Sequence, residues 1–329
     1  MKTFANANAR DLRQAATLVQ QARAEGRLTA IAGGGTDLLG MIKERIVTPD
    51  LLVNLKTAKG FDQVAAVGGG VNIGGLITLD ALSRHELIRR NYTVLAEAAE
   101  TVATPQIRNF GTLAGNVCQR PWCWYFRNGF PCFKAGGSQC FSAVGENQFH
   151  AIFGGGPSFI VHPSDTAPAL MALDAKFRVV GPSGERTLAA NDFFVLPKQN
   201  AARENVLAGD EVLAGIELPA QRSGTRSSYH KIMDREAWTH AVVSAAVVLE
   251  MDKDVCRNAR IILGGVAPIP WHVPAAERLL NGQRITPDLA AKAGEAALAG
   301  ASPLRKNAYK VPLTKKVVER TVLELATRA

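Results

Sequence analysis

Four of the chain's five cysteines lie in one short stretch, and this stretch restricts the possible folds more than any other feature. They are Cys118, Cys123, Cys132 and Cys140, with the spacing C-x4-C-x8-C-x7-C. Proline and glycine residues separate them, including Pro121, Pro131 and Gly136, and keep the backbone out of regular helix and strand. A looped segment of this kind can turn several thiols toward one point.

Three kinds of chemistry use clustered cysteines: disulfides, structural zinc sites and iron–sulfur clusters. Nothing in the chain is typical of a small secreted disulfide scaffold, and the tight C-x2-4-C pairs typical of structural zinc are absent. Wide spacing suits an iron–sulfur cluster. Arg120, Arg127 and Lys134, with no acidic residue before Glu146, would offset the negative charge of such a cluster. The spacing favours a cluster and leaves zinc and reduced cysteines open, while Cys256 is expected to be an ordinary buried thiol.

The composition indicates a globular protein of roughly two domains, with 329 residues, of which 47% are hydrophobic and 20% charged. The net charge of +9 comes from scattered Lys and Arg residues, so it indicates a docking surface rather than a nucleic-acid site. The first ten residues contain no apolar targeting segment and no twin-arginine pair. The longest apolar run, at 241–249, is too short to span a bilayer. We therefore expect that the chain carries no targeting signal of its own and no membrane-spanning segment.

A glycine-rich turn follows the first predicted buried strand, at 28–32. It reads Gly33-Gly34-Gly35-Thr36-Asp37-Leu38. Three glycines let the backbone turn sharply and present successive N–H groups, which favours phosphate, and Thr36 is expected to cap the helix that continues to Lys43. The motif is not G-x-G-x-x-G, which argues against an ordinary dinucleotide-binding unit. A tight turn without a ligand stays open on these residues alone.

The remaining patterns indicate an α+β protein. Apolar residues recur at helical spacing over 11–25 and 94–102, and Gly68-Gly69-Gly70 predicts a hairpin turn. Asp165 begins a helix, where its carboxylate can cap the helix or bond a ligand hydroxyl. Strands near 229–232, 242–251 and 260–264 precede helices near 274–280, 287–298 and 314–327, which predicts an α+β C-terminal domain.

Several of these motifs occur in the order found in one known family. They are Ala32-Gly33-Gly34-Gly35-Thr36-Asp37-Leu38, Gln106-Ile107-Arg108-Asn109, Gly111-Thr112-Leu113-Ala114-Gly115-Asn116, Ser164-Asp165 and Gly264-Gly265-Val266-Ala267-Pro268. With these motifs the chain resembles the flavin-binding subunit of the xanthine dehydrogenase and carbon monoxide dehydrogenase family, or molybdenum hydroxylases. The resemblance covers nearly the whole chain.

The resemblance implies a vanillyl-alcohol-oxidase (PCMH)-type FAD-binding domain of two subdomains plus a smaller α+β C-terminal domain. We expect the FAD domain at 1–222, with subdomains at about 1–57 and 58–222 and a cysteine-rich insertion at about 117–160. The C-terminal domain is expected at 223–329. Substrate oxidation would take place in another subunit, because no nucleophile with its base and no paired carboxylates are found in this chain.

The resemblance also implies the cofactor-binding residues. Ala30, Ile31, Ala32, Gly33, Gly34, Gly35, Thr36, Asp37 and Leu38 would surround the FAD pyrophosphate, and Thr112, Gly115, Asn116, Asp165 and Lys231 would line the rest of the cofactor. Trp238, which follows Lys231, is expected near the isoalloxazine. The other isolated His and Trp residues are expected to be packing residues.

The cysteine-rich insertion resembles the subgroup typified by the bacterial periplasmic aldehyde oxidoreductase, whose flavin subunit carries an additional [4Fe-4S] cluster. This implies Cys118, Cys123, Cys132 and Cys140 as metal ligands. The subgroup has a cysteine just before the His-Pro-Ser-Asp run, where this chain has Ser158. The fourth ligand is therefore open between Cys118 and Ser158, and an incomplete or labile cluster is a third alternative.

The implied partners are a [2Fe-2S] subunit and a large subunit with the molybdenum cofactor, and FAD would pass electrons to an external acceptor. The chain would be periplasmic if it is co-exported with a signal-bearing partner, and otherwise cytoplasmic.

Two rival functions predict different observations. A self-contained FAD oxidase would bleach with its own substrate, and a zinc-bound nucleic-acid-binding protein would be colourless and would bind DNA in a salt-sensitive manner.

Overall fold

We describe the protein from a computed structural model covering residues 1–236 and 239–328; the prediction for Trp238 lies outside these described residues. The strands are β1 (Ala5–Asn8), β2 (Thr29–Ala32), β3 (Leu51–Asn54), β4 (Val64–Val67), β5 (Gly70–Gly74), β6 (Lys176–Gly181), β7 (Gly184–Ala189), β8 (Val212–Leu218), β9 (Thr225–Ile232), β10 (Val243–Asp252), β11 (Val255–Gly264), β12 (Trp271–His272) and β13 (Gln283–Arg284). The helices are α1 (Leu12–Ala24), α2 (Leu38–Lys43), α3 (Leu79–Arg84), α4 (Glu86–Asn91), α5 (Thr93–Glu100), α6 (Pro105–Arg108), α7 (Leu113–Val117), α8 (Trp124–Arg127), α9 (Thr166–Ala172), α10 (Pro274–Leu280), α11 (Pro287–Ala296) and α12 (Lys310–Thr327).

The first sheet is parallel, with the strand order β1-β3-β2. Helix α1 connects β1 to β2 and buries its apolar face, which includes Leu12 and Val19, as its 3.6-residue periodicity predicts. The Asp11 carboxylate caps this helix by accepting from the Gln14 N–H. The predicted first helix is therefore confirmed to within one residue at each end.

The second sheet is antiparallel, with the order β4-β5-β8-β6-β7. The predicted hairpin of β4 and β5 is confirmed, with Gly68 and Gly69 at positive φ in the turn, which glycine adopts without strain. Strand β8 lies in the middle of the sheet and was not predicted. Its sequence contains Gly215 and is almost entirely buried, so it lacks the alternation that identifies a half-exposed strand.

The third sheet is antiparallel and contains β12-β11-β10-β9, with β13 also paired to β11. All three predicted C-terminal strands are present, and Lys253 adopts a positive φ in the turn between β10 and β11. Helices α10, α11 and α12 pack together against this sheet. Cys256 is fully buried in this core, which confirms its expected role as an ordinary buried thiol.

Each sheet draws its strands from one part of the chain, at residues 5–54, 64–218 and 225–284. A helical layer, chiefly α5 and α9, lies between the second and third sheets, and its core contains Tyr92, Leu95 and Phe177. The structure is α+β, and the domain limits given above stay predictions. Among the described residues, none of the helices is both long enough and apolar enough to cross a bilayer.

Candidate functional site

The glycine turn between β2 and α2 forms one wall of a cavity. A side chain on Gly33 would meet the Thr112 hydroxyl, and a side chain on Gly34 would overlap the carbonyl oxygen of Phe110. Gly35 has a φ of +73°, a conformation that favours glycine. Gly34 is therefore required by the close approach of the Phe110 backbone, and Gly33 by the Thr112 side chain, whereas the positive φ of Gly35 is what a tight turn alone would need.

The predicted helix cap at Thr36 is wrong. The cap position of α2 is Asp37, and the Asp37 side chain makes no capping hydrogen bond. Instead, one carboxylate oxygen of Asp37 accepts from the Arg127 guanidinium at 2.8 Å and the other accepts from the Arg120 N–H at 3.3 Å. Both partners lie in the cysteine-rich stretch, which the local pattern around Asp37 does not reveal.

The second motif, Thr112 to Asn116, forms the next part of the wall. The Thr112 hydroxyl caps α7 by accepting from the Gly115 N–H at 3.2 Å. The side-chain oxygen of Asn116 accepts from the hydroxyls of Ser164 and Thr166 at 2.6 and 2.7 Å. Asn116 is buried and thereby fixes the loop that carries Asp165.

Asp165 is buried and both of its carboxylate oxygens are engaged. Oδ1 accepts from the Tyr229 hydroxyl at 2.7 Å, and Oδ2 accepts from the Lys231 ammonium group at 2.7 Å. Lys231 also donates to the Thr101 carbonyl oxygen at 2.9 Å. Burial, with the Asp165 charge as the second cause, raises the pKa of Tyr229 well above its usual range, so this hydroxyl keeps its proton. The carboxylate makes no capping bond to α9 and retains lone pairs for a ligand hydroxyl.

These motifs converge on one cavity of about 290 Å³, which we call the nest cavity. Of the predicted cofactor residues, the wall contains Ile31, Ala32, Gly33, Gly34, Gly35, Thr36, Asp37, Leu38, Thr112, Gly115, Asn116 and Asp165. Ala30 and Lys231 lie outside the wall, and Lys231 reaches it through Asp165. The wall also contains Met41, Leu79, Val102, Ala103, Ile107, Gly111, Cys118, Gln119, Arg120, Trp122, Pro163, Thr239 and His240, which were not predicted.

Several of the missed wall residues come from the cysteine segment, defined here as residues 117–160. No local signal identified them, because their place in the wall depends on how this segment folds back onto α2. His240 also lies in this wall, and the centroid of its ring is 5.4 Å from that of Trp122. Burial lowers the pKa of His240, so its imidazole is neutral at neutral pH.

The basic residues of the cysteine segment are paired with carboxylates. Arg127 pairs with Asp37, and Arg120 and Lys134 both pair with Glu204 at 2.9 Å. Each of these three residues thus has a carboxylate partner within the chain, and their role in offsetting the charge of a cluster stays a prediction. Their ion pairs join the cysteine segment to the glycine turn and to the 200–207 loop.

Three of the four clustered cysteines lie near one another. Cys123 and Cys132 pack in the same apolar cluster, and burial raises the pKa of Cys123 to about 11, with smaller contributions from the charges of Cys140 and Cys132. Within the residues that the structure describes, no group of three or more His, Cys, Asp and Glu side chains is arranged to hold a metal ion. The assignment of the cysteines as metal ligands therefore stays a prediction.

Cys118 and Ser158, the two candidates for a fourth ligand, occupy different places. Cys118 lines the nest cavity and packs against the main core, and burial raises the pKa of its thiol to about 12. Ser158 is buried, and the N–H of the adjacent Phe159 lies 3.5 Å from the sulfur of Cys140. Ser158 thus precedes a residue that contacts Cys140, whereas Cys118 lines the cavity.

Comparison with known proteins identifies the family to which this chain belongs. Residues 2–221 match the family described as the FAD binding domain in molybdopterin dehydrogenase, and residues 228–325 match the CO dehydrogenase flavoprotein C-terminal domain. The chain is 34% identical over 302 residues to the aldehyde oxidoreductase FAD-binding subunit PaoB of Escherichia coli, covering 90% of this chain and 91% of that protein. It is 27% identical to the carbon monoxide dehydrogenase medium chain of Hydrogenophaga pseudoflava, covering 94% and 92%.

Solved structures show the same fold. A carbon monoxide dehydrogenase chain from Hydrogenophaga pseudoflava superposes with a TM-score of 0.77 at 25% identity, covering 98% of this chain and 96% of that chain. A chain of quinoline 2-oxidoreductase from Pseudomonas putida 86 superposes with a TM-score of 0.76 at 22% identity, covering 99% and 98%. The fold class predicted from the sequence is confirmed.

Proposed function

Because the chain belongs to the family of FAD-binding subunits of molybdenum hydroxylases, we propose that it carries electrons from a molybdenum-containing partner, through its FAD, to an external acceptor. Substrate oxidation takes place in the partner. The relatives are named as dehydrogenase or oxidoreductase subunits, and this chain is correspondingly a flavoprotein oxidoreductase subunit.

The observation that carries the proposal is the convergence of three separated motifs on the nest cavity. Gly33 to Leu38, Thr112 to Asn116 and the loop at Asp165 are far apart in the sequence and share one wall. Each is held by buried contacts between motifs, such as those of Asn116 with Ser164 and Thr166. A packing role alone does not require a cavity at the point where these motifs meet.

The residues in this wall fit the chemistry of FAD. The N–H groups of the glycine turn suit an anionic pyrophosphate. The Asp165 carboxylate, fixed by Tyr229 and Lys231, suits a ligand hydroxyl. FAD supplies the two-electron redox chemistry when bound, and the protein positions it and sets its potential.

The proposed partners are a [2Fe-2S] subunit and a large subunit with the molybdenum cofactor. Support comes from the relatives, since one is a medium chain of carbon monoxide dehydrogenase and another is the medium subunit of nicotine 6-hydroxylase. A subunit of such a complex needs an electron donor at one surface and an acceptor at another. Export to the periplasm is proposed only with a signal-bearing partner, and fractionation of cells that produce the whole complex tests it.

An iron–sulfur cluster in the cysteine segment is a further part of the proposal. It is supported by the C-x8-C-x7-C spacing of Cys123, Cys132 and Cys140 and by the packing of Cys123 against the apolar cluster that contains Cys132. We assign these three cysteines as ligands of the proposed [4Fe-4S] cluster and place Ser158 at the fourth position, because Cys118 faces the nest cavity. A cluster with one weaker oxygen ligand would be labile.

The experiment is an anaerobic visible spectrum of the purified chain, followed by flavin, iron, zinc and acid-labile sulfide analysis and by EPR of the reduced sample. One FAD per chain, together with copurification of both partners from cells that express the whole complex, supports the electron-transfer role. A protein that contains FAD but no iron would support the flavin assignment and contradict the proposed cluster. Zinc without flavin contradicts the proposal, and bleaching of the isolated chain by a substrate of its own indicates a self-contained oxidase.

A further inference from the structure

A second cavity of about 430 Å³ lies beside the nest cavity, and we call it the aromatic cavity. Its walls come from the cysteine segment, the loop at 161–165, the residues around 240 and Gly265. Trp122, Pro163, Asp165, Thr239 and His240 line both cavities. A molecule bound in the aromatic cavity would therefore touch side chains that also touch the ligand of the nest cavity.

The wall of the aromatic cavity carries a buried polar atom without a protein partner. His150 is 4% exposed, and its Nδ1 makes no hydrogen bond within the described chain. Its other nitrogen, Nε2, lies 3.4 Å from the sulfur of Cys123. A buried polar atom of this kind is satisfied when a ligand supplies a matching polar atom.

The outer part of the wall is aromatic and exposed to solvent. Trp122, Trp124 and Phe149 are 49%, 37% and 41% exposed, although large apolar side chains usually avoid water when they can be covered. The rings of Trp124 and Phe149 meet edge to face with centroids 6.1 Å apart. Such a wall suits a planar apolar ring system.

The charges in the wall do not favour an anionic ligand. Asp165 and Asp234 both line the cavity, with Arg235 as the cationic lining residue among those described. The nearby ammonium group of Lys310 lies behind the wall, where it donates to the carbonyl oxygens of Phe149 and Gly265 at 2.9 and 2.7 Å. The glycine turn that suits phosphate belongs to the other cavity. Because Asp165 is paired with Lys231, and Asp234 and Arg235 carry opposite charges, a nucleotide acceptor would find no excess of positive charge for its phosphates here.

We propose that the aromatic cavity binds the electron acceptor of the flavin, and that this acceptor is an uncharged aromatic molecule of the quinone class. This inference rests on the proposed function, because it needs a reduced flavin in the nest cavity. Reduced FAD loses two electrons and the hydrogens on N1 and N5, and the quinone takes both electrons and two protons to become a hydroquinone. Both carbonyl groups of the quinone become hydroxyl groups, and no other bond breaks.

The test is stopped-flow oxidation of the photoreduced flavin in the full chain under anaerobic conditions. Menadione is the probe, ferricyanide is the reagent that needs no binding site, and NAD⁺ is the nucleotide alternative. We expect the rate with menadione to saturate with concentration. Ala241→Phe narrows the aromatic cavity only, and it should raise the half-saturating menadione concentration at least about tenfold, which is 1.4 kcal/mol of binding, while the ferricyanide rate stays unchanged.

Two controls separate binding from a general disturbance. Ala299→Phe places the same side chain at an exposed position that lines neither cavity, and it should leave menadione oxidation unchanged. His150→Phe keeps an aromatic ring and removes the unpartnered nitrogen, and it should raise the half-saturating menadione concentration. His85→Phe removes another unpartnered Nδ1 and should leave that concentration unchanged.

The possible results are distinct. A linear menadione dependence that is equal in wild type and Ala241→Phe overturns the quinone site while the flavin assignment stands. Faster oxidation by NAD⁺ than by menadione overturns the acceptor class. Loss of FAD from Ala241→Phe shows that the flavin itself occupies this cavity and also overturns the inference. A wild-type chain that binds no FAD contradicts the proposed function as well as this site.

Discussion

The Arg127 guanidinium lies 2.8 Å from the Asp37 carboxylate, and this contact joins the cysteine segment to the glycine turn. Arg127 is 7% exposed. Its Nε donates to the carbonyl oxygen of Pro121 and its Nη2 also donates to that of Arg120, and the guanidinium lies 4.5 Å from the ring centre of Trp122. The cysteine segment thus shapes a wall of the nest cavity, whether or not it also binds metal.

Replacing Arg127 with methionine is expected to loosen this wall. The change leaves the carboxylate of Asp37 without its ion-pair partner, and breaking a buried pair costs about 3–5 kcal/mol. We expect lower stability in urea denaturation and weaker FAD retention after gel filtration. Arg90→Met is the matched control, since Arg90 pairs with Glu86 on the exposed face of α4, where a change is worth about 0.5 kcal/mol or less. Equal behaviour of the two variants contradicts the role of Arg127.

Gly34→Ala is expected to prevent FAD binding. The added methyl group overlaps the carbonyl oxygen of Phe110, and displacement of packed backbone costs about 1–3 kcal/mol. The measurement is the FAD content of the purified protein together with the dissociation constant of added FAD. Gly40→Ala is the control, because a methyl group there meets nothing within 4 Å and alanine favours the helix. A fully flavinylated Gly34→Ala protein would show that the turn is not the phosphate site.

Lys231 and Asp165 are expected to depend on each other. Their side chains are 1% and 4% exposed and lie 2.7 Å apart, so Lys231→Met leaves a buried carboxylate uncompensated and should cost about 3–5 kcal/mol. Asp165→Asn removes the charge, and the double variant should lose less stability than the two single variants together. The measurement is the free energy of unfolding of all four proteins. Additive losses would argue against a direct interaction.

The stability of the protein is expected to rise with pH through the titration of Lys310. Burial lowers the pKa of this lysine from 10.5 to about 7. Between about pH 7 and 10.5 the unfolded chain therefore binds more protons than the folded chain, so the free energy of unfolding rises with pH in this window. The gain is at most about 1.4 kcal/mol per pH unit.

Lys310→Met isolates this contribution, since the cysteines and other groups titrate alike in both proteins. Urea denaturation at pH 7 and pH 9 should show a larger increase in stability for the wild type than for the variant. The same increase in both proteins would mean that Lys310 is charged in the folded state throughout the range.

The cysteines of the insertion are expected to differ in their effect on bound iron. Cys132→Ser removes one of three neighbouring thiols and should abolish iron binding, whereas Cys118→Ser should leave iron unchanged and alter the flavin environment, because Cys118 lines the nest cavity. Ser158→Cys should increase iron retention if Ser158 is at the fourth position. Iron and sulfide analysis with EPR and the flavin spectrum measure both effects. Iron loss in Cys118→Ser would reverse the assignment.

Local sequence determined the regular elements. The apolar spacing of α1 and the glycines of the β4–β5 hairpin depend on residues within a few positions of one another, and the sequence predicted both. The Asp11 cap is equally local but was not predicted. The glycine turn was likewise recognisable from its own residues, and the order of several motifs identified the family and its fold.

Tertiary structure decided the partners of the charged side chains. Asp37 and Arg127 are 90 positions apart, and Asp165 and Lys231 are 66 apart, so no local pattern pairs them. The sequence therefore suggested a helix cap at Thr36 and indicated no partner for the basic residues near the cysteines, whereas in the folded chain Asp37 and these basic residues form ion pairs. The separation of Cys118 from the other three cysteines has the same cause, because spacing along a loop does not determine which way each thiol faces. Only the packing of the cysteine segment on α2 and the 161–165 loop fixes those directions.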